Sequence, residues 1–134
     1  MCLTVISRVP KRLKFKNGRV TVYKILTKGD SLLESPYYGM KYCSGFTVAK
    51  GEPTIFANLI YEGAIHVITS KKAAREKSRN LYFSTVVIVP VTCFKKDFIA
   101  EGTKGEACFK QVFISKSDYV KALKAKHKFA LIGR

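Results

Sequence analysis

Apolar and polar residues alternate through most of this chain, the period of two that extended strands require. Residues 2–6 predict a short apolar strand. Leu13 and Phe15 alternate with Lys14 and Lys16, and residues 20–26 (VTVYKIL) resume the alternation beyond Asn17-Gly18. Both residues of an Asn-Gly pair tolerate positive φ, so the pair predicts a two-residue turn joining two arms of a hairpin. Residues 28–31 carry turn chemistry. Residues 35–51, with four aromatics, three glycines and a proline, predict an ordered loop with strand fragments.

Beyond Pro53, residues 54–61 predict one further β run, and Glu62-Gly63 a turn into an alternating strand over 64–69. Ser70 is placed to cap a short helix over 71–79, with Ala73 and Ala74 inward. After Asn80, the continuous apolar run 86–89 predicts a strand buried on both faces, its pairing ended by Pro90. Residues 99–105 read as a loop and 107–114 as the last strand. Ser117 then caps a final helix over 118–128, with Tyr119, Val120 and Leu123 toward the body. These elements define an α+β fold, mainly antiparallel sheet with two short helices, in a single compact domain over residues 1–134.

Composition supports a packed body. At 134 residues the chain is long enough to bury one core, and 47% of it is hydrophobic, with nine Phe and seven Tyr. A disordered basic tail lacks that apolar content.

Charge narrows the partners. Against 9 Asp+Glu stand 25 Lys+Arg, a formal +16. Residues 8–28 hold eight cations and no acid, and residues 110–134 hold seven cations with Asp118 their one carboxylate. Such an excess draws polyanions and does not determine fold. The hairpin would gather Lys11, Arg12, Lys14, Lys16, Arg19 and Lys24, with Phe15 and Tyr23 interleaved and Tyr37 and Tyr38 nearby. Cations among aromatics are what a surface tracking single-stranded nucleic acid uses. Lys121, Lys124 and Lys128 of the final helix would extend it. The plainer reading is a solvated basic face with Phe15 and Tyr23 in the core.

The remaining chemistry is sparse. Cys2, Cys43, Cys93 and Cys108 form no CxxC pair, and with only His66 and His127 beside them no zinc spacing arises, so neither metal nor cofactor is expected. Cys2, Cys93 and Cys108 lie in apolar runs, where free cysteine behaves as a small hydrophobe. Reduced thiols, no leader pattern and no membrane-length run point to a reducing intracellular setting, host cytoplasm or nucleus, or to a virus particle assembled there. If the chain is an enzyme, Cys2 exposed by methionine removal is one nucleophile, and His66 with Glu106 is a candidate acid–base pair. Their plainer readings are a buried strand cysteine, a satisfied core histidine and a charged loop residue.

The blocks MCL at the start, VYKIL (22–26), SPYYG (35–39), EGAIHVITS (62–70) and GEACFKQVFI (105–114) resemble, in their order, small uncharacterised proteins of phages and large DNA viruses. The resemblance implies a viral setting and supplies no activity. From Val22 onward the order is also similar to the ADP-ribosyltransferase fold, with Glu106 where that family's catalytic Glu falls. Tyr23-Lys24 stands where that family has Arg or His, so the likeness implies a shared scaffold. The expected function is a viral accessory protein binding a polyanion, nucleic acid or an acidic viral protein, without catalysis. The alternatives are a minor structural component of a virus particle and an enzyme of the transferase-like or N-terminal-cysteine kind.

Overall fold

Nine consecutive backbone pairs, from Arg19↔Phe94 to Thr27↔Val86, join the two longest strands of the molecule into an antiparallel spine. The computed structural model describes residues 3–29, 31–36, 40–56, 59–79, 86–103, 105–125 and 130–132. In chain order the strands are β1 (Leu3–Ser7), β2 (Arg19–Lys28), β3 (Leu33–Glu34), β4 (Lys41–Tyr42), β5 (Gly45–Val48), β6 (Thr54–Phe56), β7 (Leu59–Glu62) and β8 (Ile65–Ile68). Helix α1 (Lys71–Ser78) separates these from β9 (Val86–Phe94), β10 (Phe98–Gly102), β11 (Glu106–Phe109) and β12 (Gln111–Ile114). Helix α2 (Lys116–Lys124) and β13 (Ala130–Leu131) follow.

All of these strands join one sheet, in the order β5-β12-β9-β2-β8-β11-β10-β1-β7-β6. The short strand β3 pairs with β2 and β4, and β13 runs parallel to β9. Every other pairing is antiparallel, so the sheet-dominated α+β architecture expected from the alternation is present.

Alternation along each strand sends side chains to opposite faces and builds separate cores. On one face, Val22 and Leu26 of β2, Val87, Val89, Val91 and Cys93 of β9, Val112 and Ile114 of β12, and Ala107 and Phe109 of β11 form the main core. Tyr119 and Ala122 of α2 pack onto it. On the other face, Ile25, Val86, Ile88 and Ile68 lie under Ala73 and Ala74 of α1. The run 86–89 is thus buried on both faces, as its composition predicts. Ser70 caps α1 by accepting from the Ala73 N–H.

Several expectations are corrected. The first hairpin arm is not a strand: only Lys16 and Arg19 pair across the Asn17-Gly18 turn. The reason is Glu101, whose carboxylate takes the backbone N–H groups of Lys11, Arg12 and Leu13 at 2.7–3.1 Å, leaving none of the three for a ladder. Of residues 99–105, expected as loop, 99–102 belong to strand β10, whose buried polar member is that same Glu101. The run 54–61 is two strands paired with each other, β6 and β7. The run 107–114 is also two strands with different neighbours, and Lys110 lies between them.

Pro90 does not end β9. It sits opposite Tyr23 of β2, within a ladder that continues to Val86, while on the other edge the pairing of β13 with β9 stops short of it at Leu131↔Ile88. The final helix starts earlier than expected. Ser115, not Ser117, caps it by accepting from the Asp118 N–H, and with that register Ala122 is buried while Val120 is exposed.

The turn between β7 and β8 depends on Gly63, which has φ +76 and lies against the Glu52 carbonyl. Gly63→Ala adds a methyl that overlaps this carbonyl in a backbone conformation unfavourable to alanine. We expect a loss of about 2–4 kcal/mol in urea unfolding.

Candidate nucleic-acid interface

The Asn17-Gly18 turn builds one end of the spine. Asn17 has φ 54 and Gly18 φ 74, the two positive values that a tight hairpin turn of this hand needs. Lys16 and Arg19 exchange both backbone hydrogen bonds across it, at 2.9 and 3.2 Å. The turn then docks on a 3-10 turn at Lys95–Asp97, where the Lys95 N–H donates to the Gly18 carbonyl at 2.8 Å. From there the Lys110 N–H donates to the Asp97 carbonyl, and the Ala49 N–H to the Lys110 carbonyl, each at 2.8 Å.

This relay of backbone bonds lines up cations from four distant segments along one end of the sheet: Lys16 and Arg19, Lys95 and Lys96, Lys110, and Lys50. All but Lys110 are exposed. Lys110 donates its Nζ to the Gly51 carbonyl. Of the acids in these segments, Asp97 accepts from Gln111 Nε2 at 3.0 Å, and Glu52 lies beside Lys50 in sequence. Among the described residues one ion pair forms, Lys77 with Glu106, away from this end.

Next to the cations, the face opposite the main core is partly bare. Here Arg19, Thr21 and Tyr23 of β2 stand beside Phe94, Thr92 and Pro90 of β9, and Phe113 of β12 beside Phe46 of β5. The Phe46 ring centroid is 5.1 Å from that of Phe113 and 5.9 Å from that of Phe94. Phe46 is 49% exposed and Val48 50%. A groove of about 280 Å³ continues this face over Thr21, Thr92 and Phe113 toward Lys71 and Asp118, where the two helices begin.

The residues singled out from sequence fall into distinct places. Lys11, Arg12 and Lys14 are exposed on the segment that Glu101 holds, and Lys16 and Arg19 lie at the turn beyond it. Burial opposes ionisation of Glu101. The three amide hydrogen bonds and the Arg12 charge outweigh it and hold the carboxyl below its ordinary value. Lys121 and Lys124 are exposed in the last turn of α2, near Lys28, whose Nζ donates to the Ala125 carbonyl at 2.6 Å. That is the far end of β2, roughly 30 Å from Arg19 at the usual strand rise, so the two basic regions do not merge. Lys128, Cys2, Tyr37 and Tyr38 lie outside the described residues.

Lys24 stands apart from the exposed cations. Its side chain lies on the inner face between Val22 and Leu26, where its Nζ donates to the His66 carbonyl at 2.6 Å and sits 5.7 Å from the centre of the Tyr42 ring. Beyond the single pair Tyr23↔Ile68, strands β2 and β8 separate, and the lysine supplies a donor in the gap. Burial lowers its pKa to about 8, against smaller opposing effects from Cys108 and Cys93.

His66 and Glu106 lie on neighbouring strands, His66 opposite Cys108 and Glu106 opposite Ile68. Burial, reinforced by Lys24, lowers the His66 pKa to about 4, so the ring is neutral at pH 7. The Glu106 carboxylate is taken by Lys77. Of the described cysteines, Cys93 and Cys108 are buried, Cys43 is exposed, and all three are free thiols. No described helix is long and apolar enough to cross a membrane.

Sequence reasoning missed Lys50, Lys95, Lys96, Lys110, Phe46, Phe94 and Phe113. Phe15, which the nucleic-acid reading interleaved with the cations, packs edge-on against Phe98 and Phe109, as the plainer reading expects. The available signal was the pair Lys95-Lys96 directly after an apolar strand, a pattern that marks a charged turn at a sheet end. Comparison of the chain with protein-family models, curated proteins and solved structures finds no match.

Lys24 sets a pH dependence. Its folded pKa of about 8 lies below the ordinary 10.5, so between these values the unfolded chain binds more protons and stability rises with pH. Above pH 9, Cys93 and Cys108, pushed up by burial to about 12, act in the opposite sense. Urea unfolding of the wild type and of Lys24→Met from pH 7.5 to 10 separates the two. The stability of the wild type relative to the variant should climb by about 1 kcal/mol per pH unit above pH 8.

Proposed function

We propose that this protein binds nucleic acid through the cationic end of its sheet, without catalysis and without reading sequence. The observation that carries this reading is the convergence of Lys16, Arg19, Lys50, Lys95, Lys96 and Lys110 on one end, with a single ion pair among the described residues to offset so large a positive charge. Cations left without carboxylates attract a polyanion at long range and release its condensed counterions on contact. Lys14, on the held segment preceding the turn, adds to the same end. A viral accessory role, as the order of sequence blocks suggests, would use such a surface on a genome or its transcripts.

Catalytic alternatives draw less support. A neutral, half-buried His66 and an ion-paired Glu106 offer no poised acid–base couple. The reading therefore rests on charge and its placement.

Salt titration with a fluorescent single-stranded oligonucleotide tests it. Affinity should fall steeply with salt, and the triple variant Arg19→Ala/Lys95→Ala/Lys96→Ala should reduce the log–log slope by about 2, at ~0.7 per lost phosphate contact. At 0.1 M salt that corresponds to a loss on the order of 100-fold. Lys121→Ala/Lys124→Ala should change the slope far less. Affinity that does not vary with salt, or an equal effect of the two variants, would overturn the assignment to this end.

A further inference from the structure

We infer that the bare sheet face beside the cations is a stacking platform for unpaired bases, so that the ligand is single-stranded nucleic acid rather than polyanions in general. This deepens the proposed function and rests on it. Exposed phenylalanine by itself means little, because much of any protein surface is apolar. Three observations give Phe46 more weight.

The first is clustering. Phe46, Phe94 and Phe113 come from three strands and meet ring against ring, with Val48 exposed beside them. The second is that the core does not need them. The inner faces of the same strands are already filled by Thr47, Val112, Val91 and Cys93, all buried. Helix α1 covers the far half of the outer face over Ile25, Val86 and Ile88, whereas Phe46 and Val48 on the near half are exposed. The third is charge at the edge, where Arg19 stands opposite Phe94, and Lys95 and Lys96 follow Phe94 directly in the chain.

These features select the occupant. A second copy of this chain would bring cations against cations, and an aliphatic partner would leave them uncompensated. A duplex satisfies the cations but keeps its base faces inside. A single strand satisfies both, its phosphates along Arg19, Lys95 and Lys96 and its bases on the rings. Three rings on three neighbouring strands give room for two or three stacked bases. Thr21 of β2 and Thr92 of β9, on the same face as the rings, offer hydroxyls to base edges.

The test compares three ligands by fluorescence anisotropy at 0.1 M salt: a 12-nucleotide deoxythymidine strand, a duplex of equal length, and heparin as a polyanion without bases. The single strand should bind at least tenfold more tightly than the other two. Phe46→Ala should weaken single-strand binding by roughly tenfold, with the salt slope retained and the heparin affinity shifted less than twofold. Phe46→Leu keeps an apolar side chain and guards against misfolding. It should lose most of the same affinity, and circular dichroism confirms the fold of both variants. Equal affinity for all three ligands, or full binding by Phe46→Leu, would overturn the stacking platform and leave the charge-based reading standing. No binding to any of the three would remove both.

Discussion

The β2–β9 ladder is the constraint on which the rest of this structure depends. Nine uninterrupted pairs fix which side chains of two ten- and nine-residue strands point to which face. Val22, Leu26, Val87, Val89, Val91 and Cys93 go to the main core, and Ile25, Val86 and Ile88 go under α1. The same parity sends Arg19, Thr21, Thr92 and Phe94 to the outer face beyond the reach of α1. A slip of β2 by one residue would turn Arg19 inward and move Val22 and Leu26 out of the main core. The apolar content of β9 makes that slip costly, so core stability and the layout of the outer face are one decision.

Glu101 completes the arrangement from the other side of the sheet. A buried carboxylate is unfavourable without partners, and the backbone amides of Lys11, Arg12 and Leu13 supply them. The bonds run to main-chain groups, which leaves the side chains of Lys11 and Arg12 directed to solvent. One of the few acids in a strongly cationic chain thus anchors basic residues without neutralising them through side-chain pairing. Beyond this anchor, Leu13 and Phe15 close over Phe98 and Phe109 and lead the chain into the turn that starts β2.

Local signals in the sequence were legible where chemistry is local. The Asn17-Gly18 turn, the Ser70 cap and the doubly buried run 86–89 all follow from neighbouring residues. Long-range competition was not legible. Nothing around Lys11 announces that a carboxylate ninety residues away will take its N–H, or that the arm after it will thereby lose its ladder. Alternation in 45–48 shows two faces but not which is inner, and here the small polar Thr47 is buried while Phe46 and Val48 are exposed. The candidate interface was partly legible for a similar reason. Charge density pointed to residues 8–28, yet Lys24 follows the parity of its strand into the interior, and the cations that replace it come from turns brought together only by the sheet.

The gap between β2 and β8 has a mechanical meaning. Among the described residues one backbone pair and the Lys24 side chain bridge this line, whereas ladders of several pairs lie on either side. The sheet is therefore two leaves, β5-β12-β9-β2 and β8-β11-β10-β1-β7-β6, laid edge to edge over a common apolar filling. Apolar filling resists compression well and resists sliding poorly, because it has no directional bonds to break. The aromatic rings belong to the first leaf, whereas Lys95, Lys96 and Lys110 lie in the turns that link one leaf to the other. A pull on the rings would be carried along the ladders of the first leaf and would reach the second through those turns.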